Sequence, residues 1–435
     1  MKSEWKLVHL GDIVDIKHGF AFKGECFVDY PTPYALITPG NFAIGGGFQE
    51  YKQKFYAGSV LQEFVLQAGD LIVTMTDLSK QADTLGYSAI VPISDSITYL
   101  HNQRIGLVKI KDASIADKYF VNYLMRSSSY RHWVISSATG STVKHTSPDR
   151  IKAFGFLLPP LSEQKLIAET LASFDDKIEL NRKTNIMLEQ IAQTLFKSWF
   201  VDFDPVKAKA AGRQPEGMDA ETAALFPSEF EEGELGLIPK GWHVGSIGRN
   251  FLLTMGQSPP GTTYNESGEG IAFFQGRADF GFRFPTPRVY CTAPTRFAEK
   301  GDTLVSVRAP VGDVNMAKEN CCIGRGVAAL RHNSKSRSHT YYAIKELKQH
   351  FSKFEAGGTV FGSINKSDFQ SLQILEPKID VILAFENLAF ALDEKIELNA
   401  SENESLTNIR NTLLPKLISG QLRIPDAERM AEAVL

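Results

Sequence analysis

The sequence is poor in the residues that build covalent frameworks and reactive centres. Its 435 residues include four cysteines, Cys26, Cys291, Cys321 and Cys322, with no Cys-x-x-Cys spacing and no histidine pattern beside them. That count and spacing argue against a disulfide scaffold and a structural zinc site, so the four are read as reduced thiols. No apolar run reaches the roughly eighteen residues of a membrane-spanning helix. The opening MKSEWKLVHL lacks the apolar stretch of a signal peptide, so a cytoplasmic location with no membrane partner is expected. Although the chain has 34 glycines, none falls in a GxxxxGK[ST] loop, and Gly45–Gly47 lacks the GxGxxG spacing. HExxH and GxSxG are also missing. The run Glu346–Lys348 could form half of a nuclease metal site only with an Asp that does not stand near it. The reading is therefore of a chain without catalytic, metal or cofactor residues of its own.

What is present is duplication. Asp175–Asn181 reads DDKIELN and Asp393–Asn399 reads DEKIELN, at an offset of 218 positions. Around the first copy, Leu171, Phe174, Ile178, Asn181, Asn185, Leu188, Ala192, Leu195 and Trp199 follow one another at alternating steps of three and four. That is a heptad seam with two polar layers. The second copy gives Leu392, Ile396, Asn399, Asn403, Leu406, Arg410, Leu413 and Leu417, with its asparagines in the same places. A seam asparagine costs stability and fixes register, because its amide needs a partner. Asn181, Asn185, Asn399 and Asn403 are therefore assigned to register. Pro159 and Pro160 lead into the first helix with Ser162 as its expected N-cap, and the second starts near Pro377.

The regions before the helices repeat more loosely. Trp5, Leu10, Gly11 and Gly24 match Trp242, Ile247, Gly248 and Gly261, and the Gly69-Asp70 turn before LIVTM matches Gly301-Asp302 before TLVSV. Short runs such as YALITPG, LIVTM, YSAIVPI, IGLVKI, IAFFQG, TLVSV and GVAALR, broken by Gly, Pro and Asp, read as strands. Short helices are expected at 118–125, 219–225 and 341–350. The fold class is α+β: two globular modules, residues 1–158 and 238–376, and two long helical regions, 159–202 and 377–435. Residues 203–237 form an ordered linker.

Charge follows the same division. The net charge of −3 splits into +2 for residues 1–160, −7 for 161–237, +7 for 238–378 and −5 for 379–435. Basic modules alternate with acidic helices, which permits DNA contact by the modules and disfavours it along the helices. The module loops mix residues suited to base-edge and phosphate contact. In the first module these are Thr76, Lys80, Gln81, His101, Gln103, Arg104, Lys144 and His145. In the second they are Gln275, Arg277, Arg283, Arg308, Arg325 and Thr359. For Arg308, which follows a strand run, a structural pairing with a local carboxylate is the competing reading.

Five strings then acquire meaning together: LPPLSEQ, FDDKIELN with its FKSWFVDFDPV exit, AGRQPEGMDAETAALFP ending at IPKGW, LAFALDEKIELN, and LLPKLISGQLRI. In content and order the chain resembles the specificity subunit of a Type I restriction-modification system. The resemblance implies two target recognition domains and an antiparallel coiled coil of the two KIELN helices in a pseudo-two-fold repeat. It implies double-stranded DNA as ligand, with a bipartite asymmetric target, one half-site per domain, and the rod as a ruler for the unread spacer. It also implies two modification subunits bringing S-adenosylmethionine, and restriction subunits using ATP and Mg. Two other readings remain open on the residues alone: a recognition module fused to its own enzyme, and a coiled-coil adaptor that binds protein.

Overall fold

The computed structural model describes residues 5–50, 53–79, 81–355 and 362–424. They form two compact units, one of residues 1–180 with 402–435 and the other of residues 181–401. Each unit holds one globular module and a stretch of both long helices.

The two modules are built on one plan. In the first, an antiparallel sheet runs in the order Val14–His18, Ile105–Ile110, Leu71–Thr74, Ser88–Ile90. In the second the order is Phe251–Met255, Val327–His332, Thr303–Ser306, Val314–Met316. The LIVT and TLVS strands are buried along their whole length, which is why neither alternates apolar with charged residues and their polar members are only Thr and Ser. Each module adds a second sheet containing one parallel pair, Tyr34–Leu36 with Thr98–Leu100 in the first and Ile271–Phe274 with Cys321–Ile323 in the second. The matched glycine-aspartate turns also agree. Gly69 and Gly301 have φ of +85° and +87°, and the following Asp70 and Asp302 each accept a backbone N–H at 2.8 Å, from Gln67 and Glu299.

Both modules close on themselves. Lys6–His9 pairs antiparallel with Gly155–Leu158, and His243–Ser246 with Gln373–Glu376. The chain thus enters and leaves each module side by side, immediately before a long helix.

Those helices are Leu161–Phe200 and Ile379–Ile418, each 40 residues, or about 60 Å at 1.5 Å per residue. The first begins one residue before Ser162, so Ser162 is not its N-cap. Instead the Pro160 carbonyl accepts the Glu163 and Gln164 N–H groups, because a proline needs no amide partner at a helix start. Within each unit the two helices run antiparallel: Asp175 meets Arg410 in one, and Asn185 meets Asn399 in the other. Leu171, Phe174 and Ile178 are buried with Leu406, Leu413 and Leu417 in the first unit. Each fully buried aliphatic side chain contributes about 1.5–3 kcal/mol.

The asparagine layer is asymmetric in detail. Asn399 Nδ2 donates to Asn185 Oδ1 at 2.8 Å, while Asn185 Nδ2 donates to the Ile396 carbonyl at 3.3 Å. Asn181 is buried and Asn403 half-buried. Replacing Asn185 and Asn399 together with leucine removes both partners of a buried polar pair, so folding stability should hold or rise. Loss of more than about 2 kcal/mol in chemical denaturation would contradict that account.

Residues 203–237 contain more structure than their composition announced. A helix at Asp204–Ala210 and a hairpin of Phe230–Gly233 with Gly236–Pro239 accompany the expected short helix, Ala220–Ala224, capped by Asp219. Phe196, Trp199 and Phe200 from the first long helix pack with Phe226 and Trp242, so the aromatic strings at either end of this segment share one core. Elsewhere the expected helix at 341–350 is two helices, Arg337–Glu346 and Lys348–Glu355. All four cysteines are free, and no described helix is long and apolar enough to cross a membrane.

Candidate nucleic-acid interface

Four of the second module's candidate residues meet in one shallow cleft. Gln275, Arg277, Arg308 and Arg325 line it with Ser258 and Gly326. Gln275 follows the Ile271–Phe274 strand, Arg325 sits in the turn between Cys321–Ile323 and Val327–His332, and Arg308 lies just beyond Thr303–Ser306. All four named side chains are exposed. Arg277 Nε is 2.6 Å from Asp313 Oδ2, so part of its donor fork is engaged. Arg308 and Arg325 have no ion pair among the described residues, which sets aside a structural pairing for Arg308 there. Two guanidinium forks without an ion pair among the described residues, beside an amide, are the donors and acceptors that suit guanine and adenine edges.

The repeat carries this corner into the first module. Thr74 pairs with Ile105 as Ser306 pairs with Val327, so Gln103 occupies the position of Arg325, and Thr76 that of Arg308. Across from them, Thr76 pairs with His145 as Arg308 bridges Ser363. Gln103, Arg104 and His145 are exposed at this corner, and Lys144 is half-buried beside Asp77.

Asp77 is the local organiser that the sequence reading missed. Its carboxylate accepts Ser79 N–H at 2.6 Å and the Thr84 hydroxyl at 2.6 Å, fixing the loop that exposes Gln81. Burial would raise its pKa, but these hydrogen bonds outweigh burial and hold it below the ordinary value. The Asp-x-Ser pattern at 77–79 was the available signal.

Three assigned DNA contacts do not survive. Arg283 is 1% exposed, with its guanidinium between Glu189 and Asp393, so it has no face for a base. His101 is buried, its Nε2 is 2.9 Å from the Ile105 carbonyl, and burial pushes its pKa down to about 4. It serves the packing of the turn. Thr76 is also buried, and its hydroxyl is occupied by His145 Nδ1 at 3.2 Å. Lys80 and Thr359 lie outside the described residues. Among the described residues no three His, Cys, Asp or Glu side chains are placed to hold a metal ion.

The fold is that of a two-module protein: two versions of one module, each exposing polar side chains at the same corner, on a paired-helix support. The chain belongs to the family described as Type I restriction modification DNA specificity domain, which matches residues 2–190 and 293–408. It is thus a specificity subunit, a recognition component rather than an enzyme. A Methanocaldococcus jannaschii chain, provisionally assigned as the type I restriction enzyme MjaX specificity subunit, is 28% identical over 97% of this chain and 94% of its own. The Haemophilus influenzae type I restriction enzyme HindI specificity subunit is 27% identical over 66% of this chain and 73% of its own. The crystal structure of the type I restriction-modification system S subunit from M. genitalium superposes with a TM-score of 0.58. It covers 95% of this chain and 96% of that one at 16% identity, a likeness of fold.

Proposed function

We propose that the chain directs adenine methylation to a bipartite, asymmetric DNA sequence, with residues 1–158 reading one half and residues 238–376 the other. The observation that carries this reading is the shared corner. The turn that exposes Gln103 and Arg104 in the first module exposes Arg325 in the second, with His145 beside the one and Gln275 and Arg308 beside the other. Because the two sets differ, the two half-sites differ.

The helical regions 159–202 and 377–435 and the linker 203–237 support the modules and receive partner subunits. Leu180, Met187 and Ile191 stay exposed on the first long helix, and Leu383 and Leu398 on the second. Apolar residues exposed at helical spacing suit helical partners. These would be two modification subunits carrying S-adenosylmethionine, joined by restriction subunits carrying ATP and Mg, in the cytoplasm.

The test is methylation mapping of DNA from cells expressing this chain with its modification subunit. A split motif that disappears when the chain is omitted supports the reading, and absence of any new motif from an assembled complex overturns it. Exchanging residues 1–158 for the corresponding region of a relative should change one half of the motif. The antiparallel pairing of Lys6–His9 with Gly155–Leu158 makes that exchange a clean cassette. A change in both halves would contradict modular readout.

A further inference from the structure

The repeated aspartate of the two KIELN copies stands at the junction of module and helices in each unit, half-buried as Asp175 and buried as Asp393, and the groups around it differ in charge. In the first unit Asp175 Oδ2 accepts the Tyr123 hydroxyl at 2.8 Å and Arg126 Nη1 at 2.7 Å, and its other oxygen pairs with Arg410 of the second long helix. In the second unit Asp393 Oδ1 accepts Arg283 Nη1 at 2.9 Å and the Tyr342 hydroxyl at 3.3 Å. Arg283 also grips Glu189 of the first long helix, to which Lys345 adds a second ion pair. A tyrosine followed three residues later by a cation, Tyr123 and Arg126 or Tyr342 and Lys345, is thus the module's side of both junctions.

The helix side is not duplicated faithfully. At the offset of 218, Glu189 corresponds to Thr407 and Arg410 to Ala192. The first helix seat therefore presents one acid and one base, and the second presents two acids. The modules match: the first brings the single cation Arg126, and the second brings Arg283 and Lys345. The glycine run at 45–47 belongs to this arrangement. A Cβ on Gly46, at φ +86°, would lie 2.3 Å from Arg126 Cγ, so the loop is kept bare for that side chain, which donates to the Gly45 carbonyl at 3.1 Å.

We propose that the two helix seats are keyed by charge, so that each recognition module is held by its own seat and the order of the two half-sites along the target is fixed. Placed on the first seat, the second module would bring two cations to a site that already holds Arg410. Placed on the second seat, the first module would leave Glu189 and Asp393 with one cation between them. At the second seat, where both acids are buried, an uncompensated charge is strongly disfavoured, and at the first, three cations would crowd the single acid Asp175, which now holds two. The ordering of half-sites rests on the function proposed above; the keying itself does not.

Two experiments on the full chain test it. In the first, thermal unfolding is measured for Lys345→Met, Glu189→Gln and the double variant. Keying requires that Lys345→Met lower the midpoint and that adding Glu189→Gln restore at least half of the loss. A double variant as unstable as the sum of the singles would overturn it. In the second, residues 238–376 replace residues 1–158, so that the second module occupies both places, and methylation is mapped with the modification subunit present. Adding Thr407→Glu and Arg410→Ala converts the first seat to the second and should raise methylation of the resulting symmetric motif at least tenfold. Equal methylation with either seat would refute the key. If the unaltered chain directs no methylation at all, the half-site reading fails, and the unfolding experiment still judges the seats.

Discussion

Replacing Arg283 with methionine should destabilise the second unit by about 3–5 kcal/mol, the cost of breaking a buried ion pair from one side. The reason lies in what remains. Arg283 is the shared partner of Glu189 and Asp393, and both carboxylates are buried. Burial opposes the Arg283 charge, but Tyr341, Asp393, Tyr342 and Glu189 together outweigh it and hold the guanidinium protonated. Asp393 responds to burial in the opposite sense: its pKa is raised, with Arg283 the main restraint on that rise. Remove Arg283 and Lys345 alone faces two acids, so Asp393 should take up a proton. The loss should then ease as pH falls toward the carboxylate range, because protonation relieves a charge that the folded state disfavours. Chemical denaturation at neutral and mildly acid pH reads both effects. Removing the acids as well, as Arg283→Met with Glu189→Leu and Asp393→Asn, should recover most of the stability, since no buried carboxylate is then orphaned and Lys345, which loses Glu189, is half-exposed and can turn to water. A single-variant loss below 1 kcal/mol would mean that water reaches the cluster and screens it.

The duplication was legible because it is written in periodicity and in long strings. Heptad spacing located both helices to within a few residues, and the Gly-Asp turns and apolar runs located the central strands of both modules. What escaped were features made by residues far apart in sequence. Arg283 looked like a loop arginine among phenylalanines, and only the fold brings it to Glu189, 94 positions away, and Asp393, 110 positions away. Glu189 stood one residue after the seam position Leu188 and carried no assignment. His101 and Thr76 carried the right chemistry for DNA, but backbone geometry turned them inward to satisfy a carbonyl and an imidazole. The linker's extra helix and hairpin were hidden by Gly and Pro, whose low intrinsic propensity is overridden by the aromatic core of Trp199, Phe226 and Trp242. Arg308 and Arg325 were named individually from their loops, yet their convergence depends on strand order, which no local signal encodes.

That convergence makes the second large effect specific. Changing Arg308 or Arg325 to alanine in the assembled methyltransferase should relax recognition at one position of the half-site read by residues 238–376, leaving the other half intact. A bidentate contact to one base carries about 1–3 kcal/mol of discrimination, so preference at that position should fall roughly five- to 150-fold. Arg277→Ala should cost less, because the Arg277 guanidinium is already 2.6 Å from Asp313 and part of its fork is unavailable. The double change Arg308→Ala, Arg325→Ala should approach loss of that half-site while the chain folds normally, since both side chains are exposed and hold no ion pair among the described residues. Two measurements separate the roles. Methylation mapping shows whether sequence preference changes, and the dependence of DNA affinity on salt shows whether a phosphate contact has gone. Relaxed preference at one base, with little change in salt dependence, assigns the arginine to a base edge. A uniform loss across all sequences with a shallower salt dependence assigns it to the backbone instead. Unaltered methylation and affinity in the double variant would mean that DNA meets another face of the module, and the matching corner of Gln103, Arg104 and His145 would lose its assignment by the same result.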